Sequence, residues 1–109
     1  MADTTIVFCG VRLNLDENSI DQLESRSHPV LVAAKQAGLE YYWGNFGYPD
    51  EKYLLFVGKM IGKIGAEDRT ELRVGVSDFA QIADVVAEKL IVAGIFEAAL
   101  LHVHYQPDP

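Results

Sequence analysis

From Thr5 to Leu15 the chain alternates in period two. Val7, Cys9, Val11, Leu13 and Leu15 fall on one face, and Ile6, Phe8, Gly10, Arg12 and Asn14 on the other. That alternation, rich in β-branched and apolar residues, predicts a strand over 5–15. The pattern then changes. Residues 16–25 open on capping residues and carry Ile20 and Leu23 three apart, which predicts a short helix. Residues 27–39 predict a second one, with Ser27 or His28 as cap, Pro29 at the first helical position and Gly38 at the end. Pro29 sets the break between the two.

Residues 40–47 and 52–65 are apolar runs on either side of Tyr48-Pro49-Asp50-Glu51, whose Pro-Asp pair is turn chemistry; they predict a β-hairpin. Residues 69–77 alternate again, with Leu72, Val74 and Val76 inward and Glu71, Arg73 and Gly75 outward, and predict a further strand. From Ser77 to Gly94 the period is helical. Ser77 is placed to cap, Asp78 complements the dipole, and Phe79, Ile82, Ala83, Val86, Leu90 and Ala93 form one stripe. Val85, Ile91 and Val92 widen that stripe, as if the helix were covered on more than one side. Residues 96–105 predict a last strand, followed by a polar stop. The order β-α-β-β-β-α-β predicts a single α+β domain over 1–109, with a mainly antiparallel sheet of about five strands and the helices on one face.

Gly58-Lys59-Met60-Ile61-Gly62-Lys63-Ile64-Gly65 superficially resembles a phosphate loop. Only three residues separate Gly58 from Gly62, however, and Ile64 follows Lys63 where a Ser or Thr hydroxyl should bind magnesium. The stretch also lies inside a strand pattern with no helix opening after it. It is read as a strand in which Gly58 and Gly62 leave vacancies on the face shared with Leu54, Phe56 and Met60.

The opposite face of this region carries Tyr41, Trp43, Tyr53, Leu55, Val57, Lys59, Ile61 and Lys63. If both helices cover the glycine face, this second face is too apolar to remain wet in a monomer. Tyr41, Trp43, Tyr53, Leu55, Val57, Lys59 and Ile61 are therefore the expected interface of an interaction protein that self-associates as a homodimer or docks a protein partner. Five aromatics within 41–48 strengthen that expectation, although aromatics in strands are more often packing residues. The alternative is a small-molecule-binding protein or small enzyme. Its pocket, between sheet and helices, would be lined by Tyr42, Phe46, Gly58, Met60 and Gly62.

Charge restricts the partners. Nine basic against sixteen acidic residues give a net charge of −7, which argues against nucleic acid and anionic membrane and fits plain solubility first, or else a basic protein partner of the inhibitor or immunity class. No run of about 18 apolar residues occurs, so no spanning helix is expected. The N-terminus lacks the basic start of a signal peptide. The lone Cys9 excludes an intrachain disulfide and a cysteine-rich zinc site, and fits a cytoplasmic setting.

Candidate chemistry is sparse. His102 and His104 project from one face of the last predicted strand, a geometry that suits first-row metals. A third ligand is not evident, so the pair is read as two partly exposed histidines and no metal or other cofactor is expected. Cys9 with either histidine would make a nucleophile and base. Its strand setting between Val7 and Val11 favours an inert thiol instead. No GxSxG, HExxH, CxxC or paired-carboxylate signature occurs.

Overall fold

The computed structural model describes residues 3–107. The elements are β1 (Thr4–Asn14), a 3-10 turn (Glu17–Ser19), α1 (Ile20–Glu24), α2 (Pro29–Gln36), β2 (Glu40–Asn45), β3 (Tyr53–Gly65), α3 (Val76–Val92) and β4 (Leu100–Gln106). The strands form one antiparallel sheet in the order β2-β3-β1-β4. This is an α+β fold with three helices and a split β-α-β connection, in which β3 lies between β1 and β2.

The helices end where their sequences say they should. His28 accepts the Val30 N–H at its Nδ1 and Pro29 occupies the first position of α2. Gly38 and Gly94, with φ of 78° and 79°, close α2 and α3 in Schellman turns. There Leu39 N–H donates to Ala34 O and Ile95 N–H to Leu90 O. The cap of α3 is Gly75 rather than Ser77, with no side-chain cap bond. The whole predicted stripe of α3 packs on the core, with Val86 and Leu90 buried at its centre. The β2–β3 connection is held by Asn45, whose Oδ1 accepts from Gly47 N–H and Lys52 N–H.

The sheet has four strands, not five. Residues 70–75, within the strand predicted over 69–77, form none: β1 and β2 occupy the two sides of β3. Gly65 and Arg69 close a tight connection, and the chain then crosses the sheet so that Leu72 lies on Gly62. Alternation alone does not separate a paired strand from an extended crossing segment. In the β2–β3 ladder Glu40 pairs with Gly58 and Gly44 with Leu54.

The helices lie on the face opposite to the one expected. α3 packs on β1 and β3, and α2 on β2. Beneath them, Cys9, Val11, Leu55 and Val57 form the core with Leu23, Leu31, Val86 and Leu90. The glycine-bearing face is the uncovered one, yet it is dry. Ile6, Phe8, Leu54 and Phe56 are fully buried there, with Phe46, Tyr42 and Met60 against them.

A bend in the sheet explains how. β2 pairs with the upper part of β3, and β4 with the lower part of β1. In a flat sheet Asn45 and Gln106 would be separated by about eleven residues along the strands and three strand spacings across, or roughly 36 Å by 14 Å. Instead, Gln106 Nε2 donates to Asn45 O at 3.3 Å and Tyr42 Oη donates to Gln106 Oε1 at 2.5 Å. Phe46 meets His104 at 4.9 Å between ring centroids, and Lys63 Nζ stands 4.8 Å over Tyr42. Only a sheet folded upon itself makes these contacts. Its inner face is the aromatic cluster, and its outer face carries the helices over the upper half.

Two local features permit the bend. Gly10 and Gly58 pair with each other at its centre, with φ of 154° and 153°. Below them, β3 carries one extra residue opposite Val7 and Phe8, a bulge at Ile61. The bulge changes the parity of the lower part of β3. Met60 faces inward with Phe8, whereas Gly62 faces outward with Val7, and Lys63 turns in toward Tyr42.

A Cβ added at Gly62 would lie 2.8 Å from Leu72 Cδ1, the end of a flexible side chain. Gly62→Val is therefore expected to destabilise the protein by about 1–3 kcal/mol through overpacking. Urea denaturation checks this, and an unchanged midpoint would mean that Leu72 swings clear at no cost.

Candidate interaction surface

The expected interface residues are largely spent on the fold. Leu55 and Val57 are fully buried in the helix-side core, and Tyr41, Trp43 and Ile61 pack against it. Lys59 is exposed and stands 3.8 Å from Glu40, and Tyr53 is half-buried at the start of β3. With helices above them, these residues do not form the open aromatic face that alternation implied. The premise that both helices cover the glycines is the part that fails.

The expected pocket residues do not converge either. Tyr42, Phe46 and Met60 belong to the filled inner cluster, and Gly62 faces Leu72 on the other side. Only Gly58 borders an open cleft between sheet and helices. That cleft, of about 450 Å³, runs along α3 and is floored by Leu39, Ile82 and Val86. Among its polar groups, Lys89 Nζ donates to Gly38 O at 3.2 Å and Glu40 Oε1 accepts the Met60 N–H at 2.9 Å beside Lys59, and Asp78 and Gln81 also line it. No group of three or more metal-ligating side chains gathers within the chain among the described residues.

Cys9 is buried on the helix side, and burial pushes its thiol up from the ordinary range. His102 and His104 project inward, away from it, so no nucleophile–base pair forms. A thiol reagent is expected to label Cys9 about a hundred-fold or more slowly in the native protein than in urea. Rapid stoichiometric labelling of the native protein would sink the inert reading.

What remains open is β4. Among the described residues it has no strand on its outer side. The helices cover the outer face of the upper half of the sheet, and β4 belongs to the lower half. Leu101, Val103 and Tyr105, which pair with Cys9, Val7 and Thr5, are consequently 51%, 63% and 54% exposed. Leu100, on the other face of β4, and Phe96, before it, are also exposed, at 58% and 82%. Strand edges in stable monomers are commonly guarded by lysine, proline or a bulge. Residues 100–106, Leu-Leu-His-Val-His-Tyr-Gln, contain neither lysine nor proline, and their pairing with β1 runs without a register shift.

Periodicity predicted this strand, and its alternation of Leu101, Val103 and Tyr105 was visible. No local signal could show that α3 stops short of it. No family model, curated protein or solved structure matches the chain. No helix among the described residues is long and apolar enough to cross a membrane.

Proposed function

We propose that this chain is a non-enzymatic interaction protein that self-associates as a homodimer through β4. The observation that carries the reading is the exposed strip Leu101–Val103–Tyr105 on an unguarded edge. The occupant that suits it best is a second copy, for two reasons.

The first is charge. Identical copies each carrying −7 repel one another, and β4 is a segment without a charged side chain in a chain that is 23% charged. The second is self-complementarity. Antiparallel strands related by a two-fold axis pair residue i with residue j and j with i. An axis through Val103 pairs Val103 with its own copy and Leu101 with Tyr105 at both ends. All three exposed side chains then find an apolar neighbour across the seam. The two sheets become one continuous sheet, and both unguarded edges disappear.

The lone thiol supports a reducing, cytoplasmic setting for such a dimer. Sedimentation of the wild-type chain at tens of micromolar tests the proposal. A dimer is the expected result, and a strict monomer over that range would end it.

A further inference from the structure

The two-fold axis that aligns the apolar strip also aligns the histidines. With Val103 paired with its own copy, His102 stands opposite His104 of the second copy, and His104 opposite His102. Directly paired residues in an antiparallel ladder have Cβ atoms about 5 Å apart. Four imidazole side chains are thus brought to the inner side of the seam, although the described residues of one chain hold no set of three ligands. We infer that this seam is a binding site for a first-row divalent metal ion of the zinc class, held by His102 and His104 from both copies. The inference rests on the dimer proposed above.

The side-chain hydrogen bonds support it independently of the pairing. His102 Nε2 lies 3.0 Å from Gly10 O, and His104 Nδ1 lies 3.1 Å from Tyr105 O. A carbonyl oxygen only accepts, so each of these ring nitrogens carries the proton. In the neutral imidazole the remaining lone pair is then on Nδ1 of His102 and on Nε2 of His104. Metal-ligating histidines are fixed in this way, the second nitrogen donating to a backbone carbonyl or carboxylate.

The surroundings also favour this metal class. The rings stand against Phe46 and Phe56, at centroid distances of 4.9 to 6.0 Å. That apolar shell limits water at the seam. An all-imidazole set suits zinc, copper or nickel, and not the oxygen-seeking calcium or magnesium.

Equilibrium dialysis against zinc chloride, with magnesium chloride as control, and sedimentation in EDTA or in zinc form the test. The expected result is one zinc per two chains, no magnesium, and a dimer dissociation constant at least ten-fold lower in zinc than in EDTA. Cobalt(II) in place of zinc should give the intense visible bands of a tetrahedral site in the wild-type protein. His102→Gln and His104→Gln should each abolish those bands and the zinc effect, so that each variant has the same dimer dissociation constant in zinc as in EDTA. A dimer whose strength and zinc content are unchanged by zinc overturns the metal site and leaves the dimer standing. A monomer in both buffers overturns both. Zinc bound one per monomer, or retained by both glutamine variants, places it elsewhere and overturns the site.

Discussion

Gly58→Ala is expected to destabilise the protein by about 3 kcal/mol or more, and Gly10→Ala to do the same. Both glycines have φ near +150°, a conformation that L side chains rarely adopt. A Cβ at Gly58 would sit 2.1 Å from Cys9 O and 2.8 Å from Gly10 Cα. At Gly10 it would sit 2.0 Å from Val57 O. These neighbours are backbone atoms of the two central strands, so they cannot turn aside as Leu72 can at Gly62. Relief requires the strands to separate or the sheet to straighten.

Straightening removes the contacts of Gln106 with Tyr42 and Asn45, and opens the inner cluster of Ile6, Phe8, Leu54 and Phe56. Exposing even one of those side chains costs about 1.5–3 kcal/mol. The glycine pair is thus the hinge on which the second core depends. Urea denaturation followed by circular dichroism measures the loss. A Gly58→Ala midpoint within error of wild type would mean that the sheet is not bent at this pair. The comparison with Gly62→Val is informative in itself, since the smaller substitution is expected to be the more damaging.

Val103→Lys is expected to raise the dimer dissociation constant by about a hundred-fold or more while leaving the chain folded. On the proposed axis the two substituted lysines face each other directly, so like charges meet where an apolar pair stood. Because Val103 is 63% exposed in the single chain, the substitution removes little from the core, and the urea midpoint measured under monomeric conditions should move by no more than about 0.5 kcal/mol. Val92→Lys is the control. It is 77% exposed, but it lies on α3 and not on the strand edge, and it should leave the dimer intact. Sedimentation velocity of the three proteins decides the matter. If Val103→Lys and wild type sediment alike as dimers, β4 is not the seam.

Much of the fold was legible because its signals are local. Pro29 and Gly38 bound α2, and the stripe from Phe79 to Ala93 places α3. The hairpin could be read from Pro49-Asp50 between two apolar runs. Leu72, Val74 and Val76 alternate as well as any strand does, yet residues 70–75 pair with nothing along their length. Whether an extended segment joins a sheet depends on whether an edge is free. β1, more than forty residues earlier in the chain, had taken that edge. The candidate site was missed for a related reason. Trp43 and Val57 look like an interface until a helix is laid over them, and Val103 looks like an ordinary strand residue until none is.

Alternation along a strand determines which residues share a face, and helical periodicity determines which stripe of a helix is apolar; both are properties of a few consecutive residues. The two faces of β3 were therefore correctly separated from Tyr53 to Met60 by sequence alone. Which of those faces lies beneath the helices is a property of the connections and of the sheet's curvature. Both faces are apolar enough to be buried, so composition does not choose between them. The tertiary structure chooses by bending at Gly10 and Gly58. The bend lets the sheet cover its own inner face, commits all three helices to the upper outer face, and leaves β4 with no strand on its outer side among the described residues.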